Sequence, residues 1–203
     1  MIPCIVIDTE TTGLPNRPRG WEPRIIEIGA VVITADLEAV EPISSLVQQP
    51  RKHLEDPRAA GALGLADLTP DKILSEGRDE DRLSTRLACW VGQMMERHGV
   101  QEIRAYNQSF DFGFLYRAPW CLQACGLAEG ECVMLAAQSI MGPAGALPRW
   151  ASGEYKWPRS SEAVEFFRSR GHTIEWEGLE HRALRDAAIE AQVAIAIERE
   201  RSA

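Results

Sequence analysis

Ile5-Val6-Ile7-Asp8-Thr9-Glu10-Thr11-Thr12-Gly13-Leu14 is the stretch whose reading decides the fold. Ile5, Val6 and Ile7 form a short apolar run bounded by a polar turn that contains a glycine. A strand buried on both faces reads this way. Asp8 and Glu10 lie at its C-terminal end, and positions two apart in extended chain point to the same side. Two carboxylates held together repel each other unless a cation sits between them. Oxygen ligands of this kind suit Mg²⁺ or Mn²⁺. An Asp-x-Glu pair alone is common, and its usual fate is a solvated loop end. Its weight therefore depends on what the rest of the chain brings to the same edge.

The chain has 203 residues, which fits one domain over 1–203 with ample core. At 45% hydrophobic and 26% charged residues it has the composition of a soluble globular protein. No run of about 18 apolar residues occurs, so no membrane span is expected. Met1 to Val6 has no basic leader and runs straight into a strand, which argues against a signal peptide. The five cysteines are odd in number and lack metal-finger spacing, so they read as reduced thiols of a cytoplasmic protein. A net charge of −8 excludes a globally basic, phosphate-gripping surface. Any nucleic-acid contact should be local and short, or come with a partner.

The region Pro15 to Pro23 reads as a loop beside the Asp8/Glu10 end. Arg17, Arg19 and Trp21 are candidates there for phosphate contact and base stacking. An ordinary loop with Trp21 tucked against the body fits the same residues. Arg24 to Ile33 is a second strand, with Glu27 read as an outward-facing carboxylate. Leu37 to Gln48 is a third, antiparallel strand, with Pro42 marking an edge or a break. Residues 49–81 read as loop and short helix, with a capped turn at Thr69-Pro70. Leu83, Leu87, Trp90, Val91 and Met94 place the core stripe of an amphipathic helix over 82–98.

Glu102 to Tyr106 is a short strand, and Asn107 to Leu115 turns into a helix at its C-terminal end. If that strand neighbours the first, Asn107 and Asp111 join Asp8 and Glu10 at one edge, where ligands of open α/β sheets gather. A short strand near Glu131 to Val133, an irregular stretch over 142–158 and a helix over 160–171 follow. His181-Arg-Ala-Leu-Arg-Asp186 leads into a terminal helix whose Ala187, Ala188, Ala191 and Ile195 form a close-packing face. On one helix His181 and Asp186 would stand about 140° apart. They reach one site most easily with His181 on the loop and Asp186 on the helix.

Taken in order, DTETTGL (8–14), RIIEIGAVV (24–32), LTPDKIL (68–74), YNQSFDFGFL (106–115) and HRALRDA (181–187) resemble the DEDDh 3′–5′ exonucleases. That superfamily includes the proofreading subunit of bacterial replicative polymerases. The resemblance implies an α/β, ribonuclease-H-like fold: a mixed five-stranded sheet flanked by helices. It implies that Asp8, Glu10, Asp111 and Asp186 hold two Mg²⁺ or Mn²⁺ ions and that His181 is the general base on the attacking water. The function implied is a 3′–5′ exonuclease acting on single-stranded or frayed DNA ends and releasing nucleoside 5′-monophosphates. Thr9, Thr11 and Leu14 would meet the 3′-terminal nucleotide, with Leu14 wedged against the last base. Asn107 and Phe110 would support the second motif.

Three features depart from the family pattern: Tyr106 replaces a common histidine, the loop at 15–23 is long, and 142–160 is unlike its counterparts. The chain stops at Ala203 without the C-terminal segment by which proofreading subunits dock, so a stand-alone enzyme is expected over a polymerase subunit. Two rivals stand beside this reading. One is the same chemistry on RNA, with a 2′-hydroxyl contacted near Thr9 to Thr11. The other is a non-catalytic nucleic-acid-binding protein on the same fold. The sequence leaves oligomeric state open.

Overall fold

The computed structural model describes residues 1–14, 20–175 and 182–202. The first strand, β1 (Cys4–Thr11), is the centre of a five-stranded sheet. β2 (Ile25–Ile33) pairs antiparallel on one side of it, and β3 (Ala39–Leu46) pairs antiparallel with β2 at the edge. β4 (Glu102–Arg104) pairs parallel with β1 on its other side, and β5 (Ala128–Glu129) pairs parallel with β4. The order is β3-β2-β1-β4-β5, so β2 alone runs against the rest. Pro42 falls on the edge strand, where its missing N–H leaves no ladder bond unmade. The fifth strand is Ala128–Glu129 and Val133 already begins a helix, so the strand expected near 131–133 lies a few residues too late.

Helices cover both faces. Three short ones, α1 (Arg51–Leu54), α2 (Pro57–Leu65) and α3 (Pro70–Glu76), fill the region read as loop and short helix. The amphipathic helix is α4 (Glu80–His98), capped by the Asp79 side chain, which accepts from the Arg82 N–H. α5 (Gln108–Leu115) follows β4, and α6 (Val133–Met141), α7 (Ser160–Ser169) and α8 (Ala183–Ser202) complete the chain. Arg159 occupies the position before α7, with Glu162 accepting from its N–H. No described helix is long and apolar enough to cross a membrane.

Side-chain alternation sorts the core into layers. Ile5 and Ile7 face α4 and α5, packing with Leu83, Val91, Met94 and Phe112. Cys4 and Val6 face the other way, onto Val133, Val164, Phe167, Ile189 and Val193 of α6, α7 and α8. Asp8 and Glu10 continue this second series, so they emerge on the side where α8 lies.

One contact fixes how near α8 can come. Gly29 on β2 pairs with Asp8 on β1. A Cβ built on Gly29 would lie 2.1 Å from the Leu184 N and 2.3 Å from the Ala183 carbonyl carbon. Only glycine admits the first turn of α8 at that distance. Gly29→Ala should therefore cost about 1–3 kcal/mol of unfolding free energy, the usual range for overpacking. Gly61→Ala, on an open surface of α2 where a new Cβ meets nothing within 4 Å, should instead be neutral or stabilising by up to about 1 kcal/mol. Denaturant melts of the two variants check the contrast, and equal effects would remove Gly29 as the limiting contact.

Candidate active site

The acids converge from three elements. Asp8 and Glu10 end β1, Asp111 sits in the first turn of α5, and Asp186 sits in the first turn of α8. Carboxylate oxygens of Asp8, Glu10 and Asp186 all lie within 4.8 Å of one another. Asp111 is buried beside them and held by β1 itself: the Thr9 N–H and the Thr9 hydroxyl donate to its Oδ1 at 3.0 and 2.8 Å. The parallel pairing of β1 with β4 brings α5 to this edge, as the sequence reading required.

A fifth carboxylate belongs to the group and was not foreseen. Glu190 lies one helical turn after Asp186, buried, with Oε2 lacking a hydrogen-bond partner among the described residues. It stands in an otherwise Ala- and Ile-rich helix face, which was the available signal. Glu27 is also buried, against the expectation of an outward-facing side chain. All nine residues of β2 are buried, so this strand has no solvent face to offer. The Arg182 Nη2 and Nε donate to Glu27 at 2.7 and 2.9 Å, and the Ala183 N–H donates at 3.3 Å. Glu27 thus anchors the start of α8 to the sheet with a bidentate ion pair.

Burial and mutual repulsion act in the same direction on these groups. Burial pushes Asp8 well above the usual carboxylate range, and Glu190, Asp111, Glu10 and Asp186 push it further. Glu10 rises to about 7, first through burial and then through Asp186, Glu27 and Asp111, with Arg182 opposing. Burial raises Asp111 against the two bonds from Thr9. Burial also raises Glu190, with Asp111 and Asp186 adding to it and the Tyr106 N–H opposing. The Asp8 Oδ2 is buried without a partner among the described residues. A cluster of hard oxygen donors with an orphaned buried atom fits a divalent cation of the Mg²⁺ or Mn²⁺ type.

The remaining predicted residues fall into two groups. Leu14 is 60% exposed at the mouth of the site. Thr11 is buried, its hydroxyl donating to the Gly13 carbonyl at 2.9 Å. Asn107 is exposed at the start of α5, and Phe110 packs edge-on against Phe114. Thr9 serves Asp111, as described. Trp21 lies flat on His53 with ring centroids 4.2 Å apart, and Arg58 covers it at 4.6 Å. The His53 Nε2 is 2.9 Å from the Thr12 hydroxyl, so Trp21 is tied into the turn that follows Glu10. His181, Arg17 and Arg19 lie outside the described residues.

Residues 5–123 match the family described as exonuclease (RNase_T). No curated protein matches the chain by sequence. Among solved structures, E. coli exonuclease I in complex with a dA16 oligonucleotide is 18% identical, with a TM-score of 0.65, covering 100% of this chain and 42% of its own. A 3′-exonuclease described in specific recognition of the histone mRNA stem-loop is 13% identical, with a TM-score of 0.68, covering 98% of this chain and 64% of its own. The zinc-bound E. coli exonuclease I complex with single-stranded DNA is 14% identical, with a TM-score of 0.64, covering 100% and 41%. The chain thus spans from about two fifths to just under two thirds of these proteins. At such identities the likeness shows the fold, the mixed five-stranded sheet flanked by helices.

The raised acid gives a pH signature. Glu10 titrates near 7 in the folded protein against an ordinary value of 4.5. The folded state therefore holds a proton that the unfolded chain has already lost, and stability drains away as pH rises through that window. In EDTA, Glu10→Gln should raise the melting temperature at about pH 8 and much less at about pH 5. Saturating Mn²⁺ at pH 8 should erase the advantage of the variant. A gain of equal size at both pH values would count against repulsion at this site.

Proposed function

Because this chain belongs to the exonuclease family matched by its residues 5–123, we propose that it is a DEDDh 3′–5′ exonuclease that removes nucleotides from single-stranded or frayed DNA ends. The observation that carries the reading is the convergence of Asp8, Glu10 and Asp186 oxygens within 4.8 Å, with Asp111 beside them. These four carboxylates would hold two divalent cations. Such ions would supply Lewis-acid stabilisation of the charge that develops in an in-line displacement at phosphorus.

The chain's own residues supply the rest. His181, just before α8, takes the proton of the attacking water, a task suited to a side chain that titrates near working pH. The water oxygen bonds to phosphorus as the 3′-oxygen of the preceding nucleotide leaves. The products are a nucleoside 5′-monophosphate and a strand one nucleotide shorter with a free 3′-hydroxyl. The exposed Leu14 abuts the terminal base, and the turn held by Thr11 and Gly13 sets its position. Asn107 and Phe110 border the other side. Thr9 acts through Asp111, fixing where that carboxylate points.

A second reading keeps the chemistry and changes the sugar. It is favoured by the likeness to a 3′-exonuclease described in specific recognition of the histone mRNA stem-loop. DNA is preferred here on the likeness to the two complexes with DNA.

A product ladder separates these outcomes. With Mg²⁺ or Mn²⁺, 5′-labelled single-stranded DNA should shorten stepwise from its 3′ end, and EDTA or Asp8→Ala should stop it. His181→Ala should lower turnover by roughly 10²-fold or more while Mn²⁺ still raises its melting temperature. A matching RNA that shortens faster would select the second reading. Intact DNA and RNA in the presence of bound metal would sink both.

A further inference from the structure

The stretch at 142–160, unlike its family counterparts, builds a surface that the reaction above does not use. Trp157 is 59% exposed and Leu135 on α6 is 46% exposed. With Asn107 and Phe112 of α5 they line a groove of about 370 Å³. On their other side the same two residues line a second cleft, of about 550 Å³, together with Arg149 and Tyr155. Trp157 and Leu135 are thus a shared apolar ridge between two clefts. One cleft begins at Asn107, four residues before Asp111, and the other ends at a guanidinium.

The ridge is held in place. The Tyr106 hydroxyl donates to the Pro158 carbonyl at 3.1 Å, which ties the residue after Trp157 to the end of β4. On the other side the Lys156 N–H donates to the Pro148 carbonyl at 2.8 Å, and the Lys156 Nζ pairs with Glu162 at 2.6 Å. The Gln138 side chain donates to the Tyr155 carbonyl at 2.6 Å. The Tyr155 ring packs so closely on Gly142 that a Cβ there would lie 2.4 Å from it. The Arg149 guanidinium stands 3.8 Å from the centroid of the Tyr155 ring. Backbone on both sides of Trp157 is fixed, yet its indole faces water and stacks on no ring among the described residues.

We propose that the Trp157–Leu135 ridge is a stacking platform for single-stranded nucleic acid, receiving bases upstream of the 3′-terminal nucleotide. The inference rests on the exonuclease reading, which requires the strand to leave the carboxylates by some open path. The groove starts at Asn107, the residue that opens the helix carrying Asp111. Charge favours this occupant's mode of binding as well. A chain of net charge −8 draws little affinity from phosphates, whereas a base stacks on an exposed indole whatever its sequence. The arrangement also gives Tyr106 a role: its hydroxyl ties the segment between β4 and α5, just before Asp111, to the platform.

Fluorescence anisotropy with 5′-fluorescein dT3, dT12 and rU12, in EDTA so that no cleavage occurs, tests the platform. The wild type should bind dT12 more tightly than dT3. Trp157→Ala should weaken dT12 binding by about tenfold, the scale of one lost stacking contact, and narrow the gap between dT12 and dT3. Trp157→Phe should restore most of the affinity. The proposal is overturned if Trp157→Ala binds both 12-mers within twofold of the wild type, or if the wild type binds dT12 no better than dT3. The wild-type product ladder, run alongside, keeps the two readings separate. Trp157-dependent binding without cleavage would retain the platform and remove the exonuclease. Cleavage with Trp157-independent binding would remove the platform alone and leave the ridge to a protein partner.

Discussion

How close α8 can approach the sheet governs everything at the C-terminal end of β1, and that distance is set at Gly29. The helix backbone passes through the space a side chain would need there. Two residues after Leu184, the helix presents Asp186 to the face from which Asp8 and Glu10 project. Glu27, one strand residue pair away, grips Arg182 and the Ala183 N–H and so fixes the rotation of the helix as well as its height. A close packing contact and a buried ion pair, neither of them reacting groups, thus bring together residues 8, 10 and 186.

That approach is opposed by what it brings together. Asp8, Glu10, Asp111, Asp186 and Glu190 share one buried region, and each raises the cost of charging the next. The fold offsets this with tethers. Thr9 donates twice to Asp111, and the Tyr106 N–H faces Glu190. Well-packed cores on both sides of the sheet hold the backbone while the site remains electrostatically unfavourable. Such local conflict inside an otherwise consistent structure is the usual mark of a functional site, and divalent cations relieve it directly.

Much of this was readable from residue order because it depends on short-range rules. Period-two alternation put Asp8 and Glu10 on one side of β1, and a helix starting after the 102–106 strand carries Asn107 and Asp111 to the same edge because that strand pairs with β1. The unread parts depend on distant partners. Glu27 looked like a surface acid because Arg182 lies 155 positions away. Glu190 looked like a polar interruption of a packing helix, since only the folded neighbours reveal its company. Trp21 fits two environments by sequence, and its stack on His53 involves a residue 32 positions away. The two-residue β5 carries too little pattern to place by sequence, and its register comes from β4 alone.

On the proposed function an acidic protein has to hold an acidic polymer, and its ion pairs leave it little basic surface for the task. Arg51 is engaged by Glu55 and Asp71, Arg58 by Asp56, Arg104 by Glu102, Arg170 by Glu200 and Arg201 by Glu131. Cationic side chains spent this way release few counterions when a strand binds, so the salt dependence of binding should be shallow. The exposed large apolar side chains include Leu14, four residues after Glu10, and Leu135 and Trp157 at the groove that starts at Asn107. On the proposed reading such a surface recognises the faces of bases instead of phosphates, which requires the bases to be unpaired. A single strand meets that requirement and an intact duplex does not, which is the physical ground for proposing single-stranded or frayed ends as the substrate.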